Sequence, residues 1–347
     1  MKRIKLFCSI QIFNKASVIH KFHYGFADIK NQIKADDNTT YNAFSVTKTF
    51  TSLAILQLAE KGMLNIEHSV IQCMPDFPYS DEITIRQLMT HSAGVPNPIP
   101  LSWIHLVKEH KSFVRNNFFG PIFNKHNKTK SKPNEKYAYS NLGYVLLGQI
   151  IEKVSGLNYE DYIRVNVLKP LDIDENELDF KITDNKMHAK GYHKKSSFTS
   201  FILGSFINKS KYIDETEGKW KAWKNFNVNG ASYGGLIGKP DGFLKYIQEL
   251  LKPNCRLISD EYKELLFKEN HTNSNKATGM CLSWFPGRLN HQEYFAHAGD
   301  GGGYYCEIRI YRKLGIGSLI MFNRTGMIDE RFLDRLDIHY IDAKKPE

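Results

Sequence analysis

Phe44-Ser45-Val46-Thr47-Lys48-Thr49-Phe50-Thr51-Ser52-Leu53-Ala54-Ile55-Leu56-Gln57-Leu58-Ala59-Glu60-Lys61-Gly62 carries the pattern from which the rest of the chain is best read. The spacing predicts a helix over 45–62: Phe50, Leu53, Ala54, Ile55, Leu56, Leu58 and Ala59 cover nearly all its faces, and Gly62 stops it. A helix that is apolar all round lies in an interior rather than on a surface. Lys48 is the exception, because an unpaired ammonium there costs several kcal/mol. Spacing i, i+3 places Ser45 and Lys48 on one face, about 5–6 Å apart at Cβ. A serine hydroxyl is a poor nucleophile until a neighbour takes its proton, and a partly desolvated lysine one turn away suits that task. The helix N-terminus adds free backbone N–H groups and partial positive charge. The same Ser-x-x-Lys pattern also arises by chance in a chain this long.

Outward from this helix, residues 6–13 and 17–27 read as short strands around the Asn14-Lys15 turn. Helices are predicted at 84–90, at 141–155 with Gly156 as its stop, at 240–251 and near 329–338. Strand-like segments occupy 293–297, 303–311 and 316–322, and the stretch 186–225 reads as polar, aromatic-dotted and irregular. Strands at both ends with helices between them suggest one discontinuous domain. Residues 1–75 and 226–347 would form an α/β sheet domain, and 76–225 a mostly helical insertion. The seam between two such parts is a usual place for a site.

Composition narrows the classes. The 347 residues are 41% hydrophobic and 24% charged, which fits a globular chain with a sizeable core. No apolar run approaches the length of a spanning helix. The five cysteines (Cys8, Cys73, Cys255, Cys281, Cys306) are scattered without a Cys-x-x-Cys pair, excluding a zinc ribbon and a dense disulfide framework. Met1 to Cys8 has the basic end of a signal peptide, but Gln11, Asn14 and Lys15 interrupt any apolar body, so the cytoplasm is the expected compartment. The net charge of +10 is concentrated in Lys108–Lys136 and Lys186–Lys224. Lys125, Lys128, Lys130 and Lys132 lack the interleaved aromatics that stack bases, so they read as a solvated surface rather than a nucleic-acid site.

Two further motifs stand out. Tyr139-Ser140-Asn141 precedes the 141–155 helix. Two cations beside Tyr139 would lower its pKa of about 10 and make the phenolate a base. Asn141 offers a donor and an acceptor to a substrate amide. Alone, the triplet reads better as an ordinary helix start, with Ser140 or Asn141 as cap and Tyr139 packed on the core. His297-Ala298-Gly299 closes the 293–297 strand and leads into Asp300-Gly301-Gly302-Gly303. A glycine on an edge strand lets a substrate backbone come close, and a histidine there donates or carries charge. His23-Tyr24-Gly25 repeats the pattern, and the run lacks the Gly-Lys-Ser/Thr ending of a phosphate loop.

In order, Ser-x-x-Lys, Tyr-x-Asn and His-x-Gly resemble the motifs of penicillin-recognising serine hydrolases. That family includes class C β-lactamases, D-alanyl-D-alanine carboxypeptidases, D-aminopeptidases and related esterases. The resemblance extends over most of the chain, including Ile83 to Pro96 around His91-Ser92-Ala93-Gly94, and Gly143-Tyr144, Leu147-Gly148 and Ser155-Gly156. It implies an α+β fold, an antiparallel sheet flanked by helices with an inserted mostly helical domain. It implies Ser45 as the acylated nucleophile, Lys48 and Tyr139 sharing its proton, and Asn141 holding the substrate amide. His297 and Gly299 would line the opposite wall, with His297 helping to keep Tyr139 ionised. The backbone N–H groups of Ser45 and Asp300 would form the oxyanion hole. No cofactor and no metal are implied; the expected partner is a small-molecule or peptide substrate, with no nucleic acid or membrane.

Two departures bear on substrate and architecture. Family members acting on carboxylate-bearing substrates commonly have a hydroxyl where this chain has Ala298, and Asp300 would repel a carboxylate and favour an amine. The family also usually has a helix before the first strand, whereas here a strand begins within about ten residues. The expected activity is therefore hydrolysis of a neutral or amine-bearing ester or amide through an acyl-enzyme. A D,D-carboxypeptidase or β-lactamase proper, and a slowly deacylating acyl-sensor, remain the alternatives. Oligomeric state and a lid role for 186–225 stay open.

Overall fold

The computed structural model describes residues 8–195, 207–325 and 332–341. A six-stranded antiparallel sheet is built from β1 (Cys8–Asn14), β2 (Val18–Tyr24), β3 (Phe285–Leu289), β4 (Gln292–Gly301), β5 (Tyr304–Tyr311) and β6 (Ile316–Phe322). Its order is β3-β4-β5-β6-β1-β2, so the first strand pairs with the last, from Cys8 opposite Phe322 to Asn14 opposite Ile316. The helices that matter for the site are α1 (Thr47–Glu60), α2 (Asn141–Ser155), α3 (Pro240–Leu251) and α4 (Phe332–Ile341).

Strand alternation sorts side chains to two faces. Phe13, Phe295, Cys306, Ile308, Ile310, Leu319 and Met321 join the main core beneath α1 and α3. Phe50 of α1 stacks on Tyr246 of α3 with ring centroids 3.9 Å apart. On the other face, Ile10, Ile320 and Phe322 pack against Leu333, and Ile12, Tyr311 and Ile316 against Ile341. Thus α4 covers the outer face of the sheet. Every residue from Thr47 to Ala59 is buried, as the all-round apolar pattern of α1 requires.

Some expectations are corrected. The 17–27 strand is two pieces, Val18–Tyr24 and Phe26–Asp28, separated at Gly25, whose φ of 96° breaks the ladder. The 186–225 stretch is not irregular where it is described: Tyr192–Lys194, Ile213–Glu217 and Trp220–Trp223 form a three-stranded sheet. Residues 6–7, 196–206 and 329–331 of the predicted segments lie outside the described residues. Among those described, no helix is long and apolar enough to cross a membrane, and all five cysteines are free.

Candidate active site

The site forms where the start of α1 meets the end of β4 and the turn before α2. Ser45 lies in a short helical turn, Phe44–Val46, that runs into α1. Phe44 has φ +45°, a left-handed conformation costing a non-glycine residue about 1–2 kcal/mol. Neighbours hold it there. Ala43 N–H donates to Leu236 O at 2.9 Å, and the Phe44 ring packs with Tyr304 and Phe226.

Gly299 makes the junction with β4. A Cβ on it would lie 2.2 Å from Ala43 O and 2.7 Å from Ser45 N, so only a glycine allows this strand to press on the nucleophile turn. On the far side, Ser140 caps α2, its hydroxyl accepting from Gly143 N–H at 3.0 Å, and Gly156 ends that helix at φ 73°. The cap and the site coexist, because Tyr139 precedes the cap by one residue.

These elements bring three side chains together. Tyr139 OH donates to Ser45 Oγ at 2.8 Å, and Lys48 Nζ donates to the same oxygen at 2.9 Å. Lys48 also donates to Tyr233 O at 2.7 Å, and its Nζ lies 5.0–5.4 Å from the ring centres of Tyr139, Tyr144 and Tyr233. Burial holds the lysine pKa well below its ordinary value and pushes the Tyr139 phenol above its own. Burial thus favours the free amine and the protonated phenol beside the serine.

His297 is buried, and its Nδ1 lies 2.9 Å from Ala298 O, so that nitrogen carries the hydrogen. Burial is the main cause that pushes its pKa down to about 3, and an ammonium at Lys48 acts in the same direction. Neither shift favours the ionised Tyr139 that the resemblance implies: desolvation raises the phenol above its ordinary value, and His297, lowered by burial, adds no charge to counter it. Asn141 is also buried, its Oδ1 without a partner, and it lines a cavity of about 100 Å³ together with Ser45 and Asp300. Asp300 is exposed at that cavity.

Two contributors escaped the sequence reading. Tyr233 acts through its carbonyl, which anchors Lys48; the small residues around it (Gly230, Ala231, Ser232, Gly234, Gly235) were the available signal. His91 splints Tyr139. Its Nδ1 accepts from Ser140 N–H at 3.1 Å, its carbonyl accepts from Ala138 N–H at 2.7 Å, and its ring lies 4.2 Å from that of Tyr139. His91 itself sits at φ +54°, a conformation that favours glycine and asparagine.

A cavity of about 1060 Å³ lies at the opposite end of α1 near Gly62, His68 and Glu264, and includes none of the three motifs. Among the described residues no group of three or more His, Cys, Asp or Glu side chains is placed to hold a metal ion.

The fold has counterparts among known proteins. The chain is 27% identical over 350 residues to the protein flp of Staphylococcus aureus strain N315, covering 97% of this chain and 63% of that one. It spans about half to two thirds of the length of the curated relatives it matches. The octameric penicillin-binding protein homologue of Pyrococcus abyssi superposes with a TM-score of 0.77 at 22% identity, covering 97% of this chain and 73% of that one. The D-amino acid amidase of Ochrobactrum anthropi SV3, complexed with L-phenylalanine, gives 0.77 at 18% identity, covering 98% and 95%. These two share the fold. The Beta-lactamase family profile matches residues 9–343, nearly the whole sequence, and the chain belongs to the Beta-lactamase family.

Proposed function

We propose that the protein is a serine hydrolase that passes an acyl group from an ester or amide to Ser45 and then to water. The observation that carries this is one oxygen, Ser45 Oγ, held within 2.9 Å of both a buried amine and a buried phenol. Lys48, unprotonated, takes the serine proton as Oγ bonds to the substrate carbonyl carbon. The resulting oxyanion turns to the backbone N–H groups of Ser45 and Asp300, where each donor is worth about 3–4 kcal/mol. The intermediate collapses as its bond to the leaving group breaks. Tyr139 gives that group a proton and is refilled from Lys48. Water then attacks the acyl-enzyme by the reverse relay, releasing the acid and restoring Ser45.

The substrate reading rests on Ala298 and Asp300. Ala298 offers no hydroxyl to a carboxylate, and the charge of Asp300 beside the Ser45 cavity favours an amine. Neutral or amine-bearing donors, D-amino-acid amides and esters among them, fit better than penicillins. That a D-amino acid amidase shares the fold supports this choice. Labelling with a fluorophosphonate tests the reading: one equivalent on Ser45 is expected, abolished in Ser45→Ala. Folded protein that takes up no label refutes it.

His91 supplies a second test, as a positioning residue. His91→Phe keeps a ring but leaves Ser140 N–H without an acceptor, and kcat is expected to fall about tenfold with KM within about twofold, the equivalent of one lost buried hydrogen bond. His91→Asn, which keeps an acceptor and tolerates the backbone, is expected to recover most of the loss. Equal losses in both variants would assign His91 to packing alone.

A further inference from the structure

We propose that the substrate is divided at Ser45 into a small acyl part and a larger aromatic leaving group that carries no negative charge. This rests on the serine hydrolase reading and specifies its substrate. The two halves of the substrate are assigned by the relay. Tyr139 delivers the proton to the departing atom, so the leaving group lies on the Tyr139 side of the serine, and the acyl part on the Asn141 and Asp300 side. A separate cavity stands on each side.

The acyl cavity, about 100 Å³, is walled by Phe44, Leu101, Ile104, Trp223 and Tyr233. At ~30 Å³ per small group it holds only three or four heavy atoms. The other cavity is about 340 Å³ and is lined by Tyr139, Phe285, Tyr294, Ala298, Tyr305 and Glu307. That is room for a substituted benzyl group, between aromatic walls that favour another ring.

Its floor is set by the sheet register. Ala298 stands opposite Glu307, and Ala296 opposite Arg309, so two small side chains on β4 open the cavity down to a charged pair on β5. Glu307 and Arg309 are both buried. The Glu307 carboxylate accepts from Tyr305 OH at 2.8 Å and from Arg309 Nε at 2.6 Å. Arg309 also pairs with Asp334, and Asp337 lies 3.6 Å from it. Three carboxyl groups thus surround one guanidinium, whose charge is spent within the protein. An anionic leaving group would meet carboxyl oxygens with no cation left to answer it.

The test holds the acyl group constant, D-alanyl or propionyl, and compares methyl, benzyl, 4-carboxybenzyl and 4-(aminomethyl)benzyl esters by kcat/KM. Benzyl is expected to exceed methyl by about tenfold or more, and 4-carboxybenzyl to fall about tenfold below benzyl. Ala298→Leu, which fills the cavity, should bring the benzyl-to-methyl ratio near one, and Glu307→Gln should narrow the 4-carboxybenzyl penalty. Ratios within one protein cancel any loss of folded material. Equal rates for all four esters, or a preference for 4-carboxybenzyl, overturn the assignment, while labelling at Ser45 leaves the hydrolase reading standing. Absence of that labelling removes both.

Discussion

Lys48→Met is expected to lower kcat/KM for an ester at neutral pH by about 10²–10⁴, the usual worth of a positioned general base. The same substitution should leave the melting temperature unchanged or raise it. Lys48 is fully buried and its ammonium form is desolvated, so an apolar side chain of similar length removes a cost as well as a function. The one bond lost besides that to Ser45 is to Tyr233 O, worth about 1 kcal/mol. Activity and stability thus move independently, which separates a chemical role from a structural one. The pH profile gives the sign. The relay needs the free amine, so kcat/KM rises with pH through the lysine pKa, which burial holds well below its ordinary value, and reaches a plateau above it. Tyr139, held above its ordinary value, keeps its proton across that plateau, and the alkaline decline belongs above about pH 10. Measured against the wild type, Lys48→Met should lack the acid limb; a limb that persists would assign it to another group.

Gly299→Ala is expected to be nearly as damaging for a different reason. The added Cβ meets two backbone atoms, Ala43 O and Ser45 N, neither of which can swing aside as a side chain would. Either β4 or the Phe44–Val46 turn must retreat, and Ser45 N is one of the two proposed oxyanion donors. A loss of about 10²–10³ in kcat is the measured worth of such a donor in another hydrolase, and it is the expected loss here. The melting temperature should also drop by a few degrees, since a clash at a packed junction typically costs about 1–3 kcal/mol. Wild-type kinetics in Gly299→Ala would show that the strand is not pressed on the nucleophile.

What the sequence disclosed, and what it concealed, follows from where the information lies. α1 was legible because its apolar residues leave no polar face, and α2 because Ser140 and Gly156 mark its ends. β5 and β6 are buried on both faces; β6 reads as an apolar run, and β5 as one broken by Glu307 and Arg309. β3 was missed: it is a part-exposed edge strand containing Pro286 and Gly287, residues that weaken any strand pattern. The helix Arg115–Lys125 was missed because Pro121 interrupts it. The small sheet within 186–225 is held by tertiary bonds, Tyr192 OH donating to Glu217 and accepting from Ile29 N–H, which no local window contains.

In the site, the residues visible in advance were those whose side chains meet at Ser45 Oγ, since the proposed chemistry restricts them to serine, lysine and tyrosine. Tyr233, which meets Lys48 through its carbonyl, and His91, which braces the backbone before α2, left only a run of small residues and a motif of unassigned purpose. The protonation of His297 and Tyr139 depends on burial, a property of the assembled structure, and so was not legible in the sequence.

The pairing of β1 with β6 also bears on how the protein comes into being. Ser45 leaves the ribosome long before Gly299, and the wall that faces it cannot form until β4 has been synthesised and the sheet has closed on its first strand. Such long-range pairing is slow to nucleate. A nascent chain, or one severed ahead of β4, thus displays the serine with nothing opposite it, and the proposed acyl acceptor is assembled only after β4 and β6 have been made.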